Sequence, residues 1–553
     1  MKRILFLLTL LVVSISCIED LSKYNYKKTN KVTYKSVIEG YTFTSGEEVE
    51  MVAPIEFAEN FENEADIDKT FEINWYLNEE LVATGYRIKY TFKKVGGFSM
   101  ILKVTNKETG EVYLSDNYSV QSKSAIGWGW MLLSDHGDGN SSLSFIAPNT
   151  MFVSHKLEEA FELPEPLGKG PKNLHYYYVL GSIPGNYVSG LPKVVVNQQS
   201  GTVTLDGRNL LKDKWMSDEF GGVEPESDFT MPGFAWKRNY YLIQSAEGNI
   251  YVRTMHRDYE EIPFYGTYSS MPYTFEGGAN ITYMQSFQNV TYWTANEDKA
   301  LLFDSLNSRF LVFVPGGYGE DVYENYCPKC VYLSYYDETG TFDPSVPKVN
   351  NLGQGTRCLA AGAYEISEDD GSGYGGIATY PNYVALLDLG GSGNYQIYTF
   401  KVNPLGEANH IITENTMTPF SGSSLINDKS VILMSSNFEK NPYFYFTDGD
   451  KNLYVYSMAT HTHALAHTAT SRITHLSNSP IVCEFKNYGG NSEAVNWRMA
   501  VVQEKGQVDI IDVATDKMVK VFEGSVPNLL LKSMDGFGDV KDIVWATNYE
   551  GEY

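Results

Sequence analysis

At 553 residues the chain is longer than one ordinary domain, and a hydrophobic content of 43% supports packed cores and excludes an intrinsically disordered protein. Its 68 acidic against 43 basic side chains give a formal charge of −25, which excludes phosphate-led binding of nucleic acid and a basic patch for anionic lipid.

The first residues set the compartment. Lys2-Arg3 is a charged n-region and Ile4 to Val13 an apolar stretch too short to span a bilayer, which together read as a signal peptide over residues 1–16. Ser14-Ile15-Ser16-Cys17 resembles a bacterial lipobox, with Ser14 in place of the usual leucine, and makes Cys17 the expected acylated lipid anchor. Ile18-Glu19-Asp20 resembles the surface-export signal of Bacteroidota lipoproteins, so the expected address is the outer face of the outer membrane. Residues 17–30 are polar and read as a lipidated tether.

From residue 31 to 122 the pattern is strands and turns. The segment around Trp75 alternates and turns at Asn78-Glu79-Glu80. A second alternating run, from Gly96-Gly97 through Met100 to Thr105, leads to another strand after a Glu-Thr-Gly turn. This is the signature of a small β-sandwich. The composition shifts at Ile126, and the remainder to residue 553 reads as recurring hairpins. They are Trp128 to Ser134 with Leu143 to Ile146, Tyr240 to Gln244 with Ile250 to Arg253, and Ala300 to Phe303 with Phe310 to Val314. Three more follow: Tyr383 to Leu387 with Tyr395 to Phe400, Tyr443 to Phe446 with Leu453 to Tyr456, and Met499 to Gln503 with Val508 to Asp512. The best short helix candidate is Lys156 to Phe161. An all-β unit of this size must manage its sheet edges, and radial repetition does so. The expected fold class is therefore all-β, a sandwich followed by a β-propeller of seven blades, with eight as the fallback and two further sandwiches as the alternative. Strand Asp542 to Ala546 is expected to complete the sheet begun by Trp128 to Ile146 and so close the ring.

Several clusters carry candidate chemistry. His461, His463 and His467 alternate, so on a regular strand their imidazoles share one face and form a candidate metal site; the bland reading is a solvated outer strand. The loops Asp135 to Asn140 and Glu368 to Gly373 offer oxygen ligands but lack the calcium-loop order, and Asp and Gly are also what turns require. Cys327 and Cys330 form a C-x-x-C that reads as a structural disulfide, internally or with Cys358, because no thioredoxin context or second C-x-x-C accompanies it. The aromatic run containing Tyr259, Phe264, Tyr265, Tyr268 and Tyr273 is the candidate ligand-binding loop, with a loop that caps a sheet as the structural reading. No catalytic motif such as HExxH or GxSxG is present, and no cofactor is expected.

The run "GWGWMLLSDHGDGNSSLSFI", placed after a Trp-containing sandwich and a lipobox, and the hairpin "PYFYFTDGDKNLYVYSMAT" resemble the PKD-like family lipoproteins of Bacteroidota. The resemblance implies a PKD/Ig-like domain before a propeller-like domain. It also implies an accessory role beside a starch-utilisation-type TonB-dependent channel and its lid lipoprotein, capturing peptide or glycan nutrients without catalysis. The alternatives are capture of a siderophore or haem, and a propeller-based glycoside hydrolase or lyase.

Overall fold

The structure, a computed structural model, describes residues 30–35, 40–44, 48–92, 96–123, 126, 128–147, 153–183, 186–220, 225, 229, 234–237, 240–254, 267–286, 300–314, 329–335, 342–369, 377–402, 411–434, 443–479, 497–525 and 527–547. Residues 1–16 and the anchor Cys17 lie outside them. The chain is all-β and mostly antiparallel, and it divides into two compact units after Lys123.

In the first unit the main sheet runs in the order Tyr41–Thr44, Tyr118–Lys123, Gly96–Asn106, Phe71–Leu77 and Glu80–Thr84, with Val112–Leu114 paired to the far half of Gly96–Asn106. The alternation read in the sequence buries Ile73, Trp75, Leu102, Val104 and Val120 in one core. The Trp75 indole N–H donates to the Gly85 carbonyl at 2.8 Å, so the one polar atom of that ring is satisfied inside the core. The hairpin between Phe71–Leu77 and Glu80–Thr84 turns at two residues, Asn78 and Glu79, both with positive φ (44° and 72°), the backbone that a two-residue hairpin with native twist requires. Helix Glu64–Thr70, which shows no periodic signal, caps the bottom of this core through Ile67.

The second unit holds seven sheets among the described residues. Sheet 1 consists of Asp539–Thr547, Trp128–Asp135, Ser142–Ile146 and Val153–Ser154 in hydrogen-bonded order, so the expected closing strand does pair with Trp128–Asp135. Sheet 2 is Pro171–Ile183, Asn186–Gln198, Val203–Asp206 and Lys212–Trp215; sheet 3 is Phe234–Lys237, Tyr240–Gln244 and Ile250–Thr254. Sheet 4 is Ile281–Ser286, Ala300–Asp304, Arg309–Val314 and Lys329–Tyr332. Sheet 5 is Arg357–Asp369, Ile377–Leu389, Asn394–Val402 and Ile411–Pro419, extended by the parallel strand Ser334–Tyr335. Sheet 6 is Ile432–Met434, Tyr443–Thr447, Asn452–Ser457 and Thr462–Thr468; sheet 7 is Ile473–Asn478, Arg498–Gln503, Gln507–Asp512 and Leu530–Met534. The helix candidate is present as Leu157–Ala160, and helix Thr515–Phe522 joins the last two strands of sheet 7.

Each sheet shares a hydrophobic core with the next, and the series is cyclic. Met131 and Leu133 of sheet 1 pack with Val194 and Leu205 of sheet 2, and Val195 of sheet 2 with Ile243 of sheet 3. Leu242 meets Leu311 between sheets 3 and 4, Phe310 meets Phe400 between sheets 4 and 5, and Ile397 meets Phe444 between sheets 5 and 6. Val455 and Val501 join sheets 6 and 7. Finally Val502 and Ile510 of sheet 7 pack with Trp130, Leu132 and Ile543 of sheet 1. Middle strands are therefore buried on both faces, which explains why "WMLL", "VVV" and "AVV" are continuous apolar runs rather than alternating ones. Backbone latches repeat the same link. At five of the seven junctions, among the described residues, the segment entering the next sheet donates an N–H to a turn carbonyl of the previous one: Gly170 to Gly139 (2.9 Å), Ile281 to Gly248 (3.1 Å), Leu352 to Ser308 (2.9 Å), Ile473 to Asp450 (2.8 Å) and Phe537 to Gly506 (3.3 Å).

Candidate functional site

The histidines expected on one strand face do not converge. His461 sits in the turn before the strand with φ of 55°. Strand Thr462–Thr468 bulges at Ala466, since Leu453 opposes His467 while Tyr454 opposes Leu465. A bulge reverses the alternation beyond it. His463 thus lies on the face towards sheet 5, with Nδ1 3.0 Å from Ser421 Oγ and its ring edge-on to Phe446 and Tyr454. His467 turns to sheet 7, with Nε2 3.1 Å from Asp509 Oδ2. Among the described residues no group of three or more His, Cys, Asp or Glu side chains is placed to hold a metal ion.

Around Asp509 a serine, a histidine and an aspartate meet without forming a nucleophilic triad. Ser533 Oγ donates to Asp509 Oδ1 at 2.6 Å, Gln503 Nε2 donates to Oδ2 at 2.8 Å, and His467 shares the same carboxylate. Burial pushes this carboxyl up, and the bonds from His467 and Ser533 outweigh it, so its pKa is lowered overall. Activation of a serine requires the imidazole on its hydroxyl; here both groups bond to the carboxylate, as in a structural tie between sheets 6 and 7.

Of the aromatic candidates, Tyr259, Phe264 and Tyr265 lie outside the described residues. Tyr268 and Tyr273 are inward-facing rather than presented to a ligand. Ser269 N donates to Val252 O (3.2 Å) and Tyr273 N to Ile250 O (2.7 Å), so this segment runs along the outer strand of sheet 3 and turns rings into the core. The Tyr273 hydroxyl accepts the Cys330 N–H at 3.0 Å. Tyr268 is 2% exposed, and the Arg253 guanidinium lies 4.6 Å above its ring. Arg253 is ion-paired with Glu219; both are almost wholly buried between sheets 2 and 3. Thr204 Oγ1 donates to the other Glu219 oxygen at 3.2 Å. No sequence signal links positions 219 and 253, because the pair exists only once the two sheets meet.

In the loop from Asp135 to Asn140, Asp135 Oδ1 accepts the N–H groups of Gly137 and Gly139 (2.7 and 3.0 Å), and Asp138 accepts Asn140 N at 2.9 Å. These oxygens are used in turn formation. The side chains of Glu368 to Gly373 lie outside the described residues. Cys330 and Cys358 are free thiols in this structure, so neither the expected bridge from Cys330 to Cys327 nor one to Cys358 is formed; Cys327 itself lies outside the described residues. Burial pushes the Cys330 thiol up to about 12 and raises Cys358 as well, which leaves both without nucleophilic thiolate at neutral pH.

The titratable groups that the structure itself brings forward lie on the closing seam. The first strands of sheets 7, 1 and 2 adjoin one another. A bulge at Lys541 turns Asp542 towards sheet 2, where Oδ2 accepts the Leu174 N–H at 2.8 Å while Oδ1 accepts Ile543 N at 2.8 Å. From the other side His475 of sheet 7 bonds to the backbone of Lys541. The Asp542 residue keeps some exposure, but its carboxylate is enclosed between the strands, and burial pushes its pKa up to about 6 against the two N–H donors. Burial lowers His475.

A carboxyl with a raised folded-state pKa binds protons that the unfolded chain has released, so its stabilising contribution is full below pH 3.8 and is lost as pH rises through about 6. His475 acts in the opposite sense, losing its contribution as pH falls below its ordinary value of 6.5. The Asp542→Asn variant separates them. Relative to wild type it is expected to gain about 2–3 kcal/mol on going from pH 4 to pH 7, read as the difference between urea unfolding free energies at the two pH values. A wild-type-minus-variant difference that does not change with pH would show that Asp542 is not the titrating group.

No protein-family model and no curated protein matches the chain. Among solved structures it is similar to a quinonprotein alcohol dehydrogenase-like protein from Bacteroides thetaiotaomicron, at 13% identity over 91% of this chain and 95% of that one, with a TM-score of 0.38. It is also similar to apo AztD from Citrobacter koseri, at 10% identity over 86% and 97%, TM-score 0.33. The β-propeller domain of Cps50 (Swd1) from Myceliophteria thermophila is a third, at 9% identity over 68% and 90%, TM-score 0.31. Likeness at this level assigns no activity to the chain.

Proposed function

We propose that the chain is a surface-exposed outer-membrane lipoprotein anchored through Cys17, in which a PKD/Ig-like sandwich precedes a seven-bladed β-propeller. Its role is to bind nutrient, peptide or glycan, or to dock as an accessory component beside a TonB-dependent channel and its lid lipoprotein, without catalysis of its own. The observation that carries this reading is the cyclic series of seven shared cores, with sheet 1 built from both ends of the unit. A ring closed in this way is a rigid frame that presents loops for binding, as propellers do. The seven sheets favour seven blades over eight. A binding frame also fits the wiring of the titratable side chains: Asp509 is bonded to His467 of sheet 6, Asp542 to Leu174 of sheet 2, and Glu219 to Arg253 of sheet 3.

The address is tested in the native bacterium with an alkynyl palmitate label and protease treatment of intact cells. The expected result is a labelled chain that is digested from outside, with the label lost in Cys17→Ser. An unlabelled wild-type chain, or one protected until the outer membrane is opened, would contradict the reading.

A further inference from the structure

In the first unit the two sides of the main sheet differ in kind. One side turns Ile73, Trp75, Leu77, Met100, Leu102 and Val104 into the core. Side chains alternate along a strand, so the residues between these share the outer side. Pairing registers set them out in rows. Leu81, Tyr76 and Ile101 lie opposite one another across three strands. The next row is Thr84, Asn74, Lys103 and Leu114, and the one after it Glu72, Thr105 and Val112. Leu81, Leu114 and Val112 are 56%, 66% and 52% exposed, and Tyr76 and Ile101 between them are half-buried. The result is an apolar band across four strands that stays open to solvent.

Charge is sorted in the same way. The strand residues of the outer side carry three charges, Glu72, Lys103 and Lys123. Ion pairs gather on other elements of the unit: Glu48 with Lys89, Glu50 and Glu64 with Arg87, Asp66 with Lys69, and Glu56 with Lys35. Depletion of charge around exposed apolar side chains is the composition of an interface core rather than of a solvated sheet. The path of five strands and the 11 residues of Gly96–Asn106 give a face about 20 Å wide and about 35 Å long, room for the roughly 800 Å² that each partner contributes to a standard interface.

We propose that this outer face is the contact through which two copies of the chain associate about a two-fold axis. An axis running along the strands, between Phe71–Leu77 and Gly96–Asn106, sets each Tyr76 against the other copy's Ile101 and each Leu81 beside the other copy's Leu114. The same operation sets Lys103 against Asn74 and Glu72 against Thr105, so like charges do not meet on this face although each chain carries −25. The geometry is the aligned face-to-face packing of two sheets. A bilayer is the poorer occupant, because hydrocarbon offers no hydrogen-bond partner to Asn74, Thr84 and Thr105. A basic protein, which so acidic a chain attracts, would meet little acid here. The inference concerns the first unit alone and does not depend on the nutrient-binding reading.

The test is sedimentation equilibrium of the full chain without its signal peptide and with Cys17→Ser, so that acyl chains cannot drive association. A dimer at micromolar concentration is expected. Leu81→Glu with Leu114→Glu places like charges side by side across the contact and is expected to raise the dissociation constant about a hundredfold, while Leu81→Lys with Leu114→Glu recovers most of the loss. Within one copy the two positions are three strand spacings apart, about 14 Å, so recovery reports contact between copies. Both side chains are exposed, and unchanged thermal melting of the variants assigns the effect to the contact rather than to the fold. A wild-type chain that stays monomeric, a dimer that the doubly acidic variant leaves intact, or a charge-swapped variant no tighter than the doubly acidic one overturns the proposal. So does a monomeric chain that floats with phosphatidylethanolamine vesicles in a Leu114-dependent way.

Discussion

Truncation after Gly538 is expected to abolish the cooperative fold of the second unit. The strand removed, Asp539–Thr547, is the first strand of sheet 1 and contributes buried Val540, Ile543 and Ala546 together with the half-buried Val544 and Trp545. Those side chains belong to two cores at once, because Ile543 faces sheet 7 and Val544 faces sheet 2. Burial of large apolar side chains stabilises by about 1.5–3 kcal/mol each, so their joint loss reaches the total stability of a typical domain, about 5–15 kcal/mol. Trp128–Asp135 would be left with an open edge, Trp130 would lose the edge-on contact of Trp545 at 5.0 Å, and Leu174 N would lose its acceptor. The expected readout is a near-ultraviolet circular dichroism spectrum without its native bands and rapid cleavage under limited proteolysis. A truncated chain that melts cooperatively within about 5 °C of the full one would mean that the closing strand is dispensable and the ring reading wrong.

The second large effect is expected at Glu219. Arg253 and Glu219 are 5% and 3% exposed, and the guanidinium also reaches the Tyr177 hydroxyl on the first strand of sheet 2. Removal of one partner of such a pair strands a charge in a low-dielectric core, a cost of about 3–5 kcal/mol, whereas replacement of both by apolar residues of similar volume is often near neutral. Glu219→Leu alone is therefore expected to be strongly destabilising in urea unfolding, and the double variant Glu219→Leu with Arg253→Met substantially less so. Tyr268→Phe is a suitable control, since that hydroxyl meets no hydrogen-bond partner among the described residues. A Glu219→Leu cost below about 1 kcal/mol, or a double variant worse than the single, would show that the pair is solvated and not a core element.

Much of the fold was legible because hairpins with Gly- or Asp-containing turns announce themselves locally. The pairs at 300–314 and 443–456 lie within a residue or two of the observed strands, and the closing strand was readable as a C-terminal strand left over after the hairpins. Sheet 2 was not legible. In strand Asn186–Gln198 the residues Val194 to Gln198 are all buried, so "KVVVN" carries no period; "HYYYVL" in strand Pro171–Ile183 does not alternate either, and Pro184-Gly185 between them resembles any loop. Helix Thr515–Phe522 was missed for a different reason: eight residues hold too few turns to display a period.

The site was less legible than the fold. Counting by twos along His461 to His467 assumed a regular strand, and one bulge at Ala466 was enough to send His463 and His467 to opposite neighbours. Asp542 could be seen as a charge inside a predicted strand, but its partner Leu174 is 368 residues away and only ring closure brings them together. Pairs of that kind depend on topology, which local pattern does not encode.

The most direct test of the proposed role is isolation of the native lipoprotein from detergent-solubilised outer membranes, with mass spectrometry of the proteins and small molecules that accompany it. The account predicts recovery with a TonB-dependent channel and its lid lipoprotein, in amounts that survive washing. Recovery of the chain alone, with neither an outer-membrane partner nor a bound ligand, would contradict it.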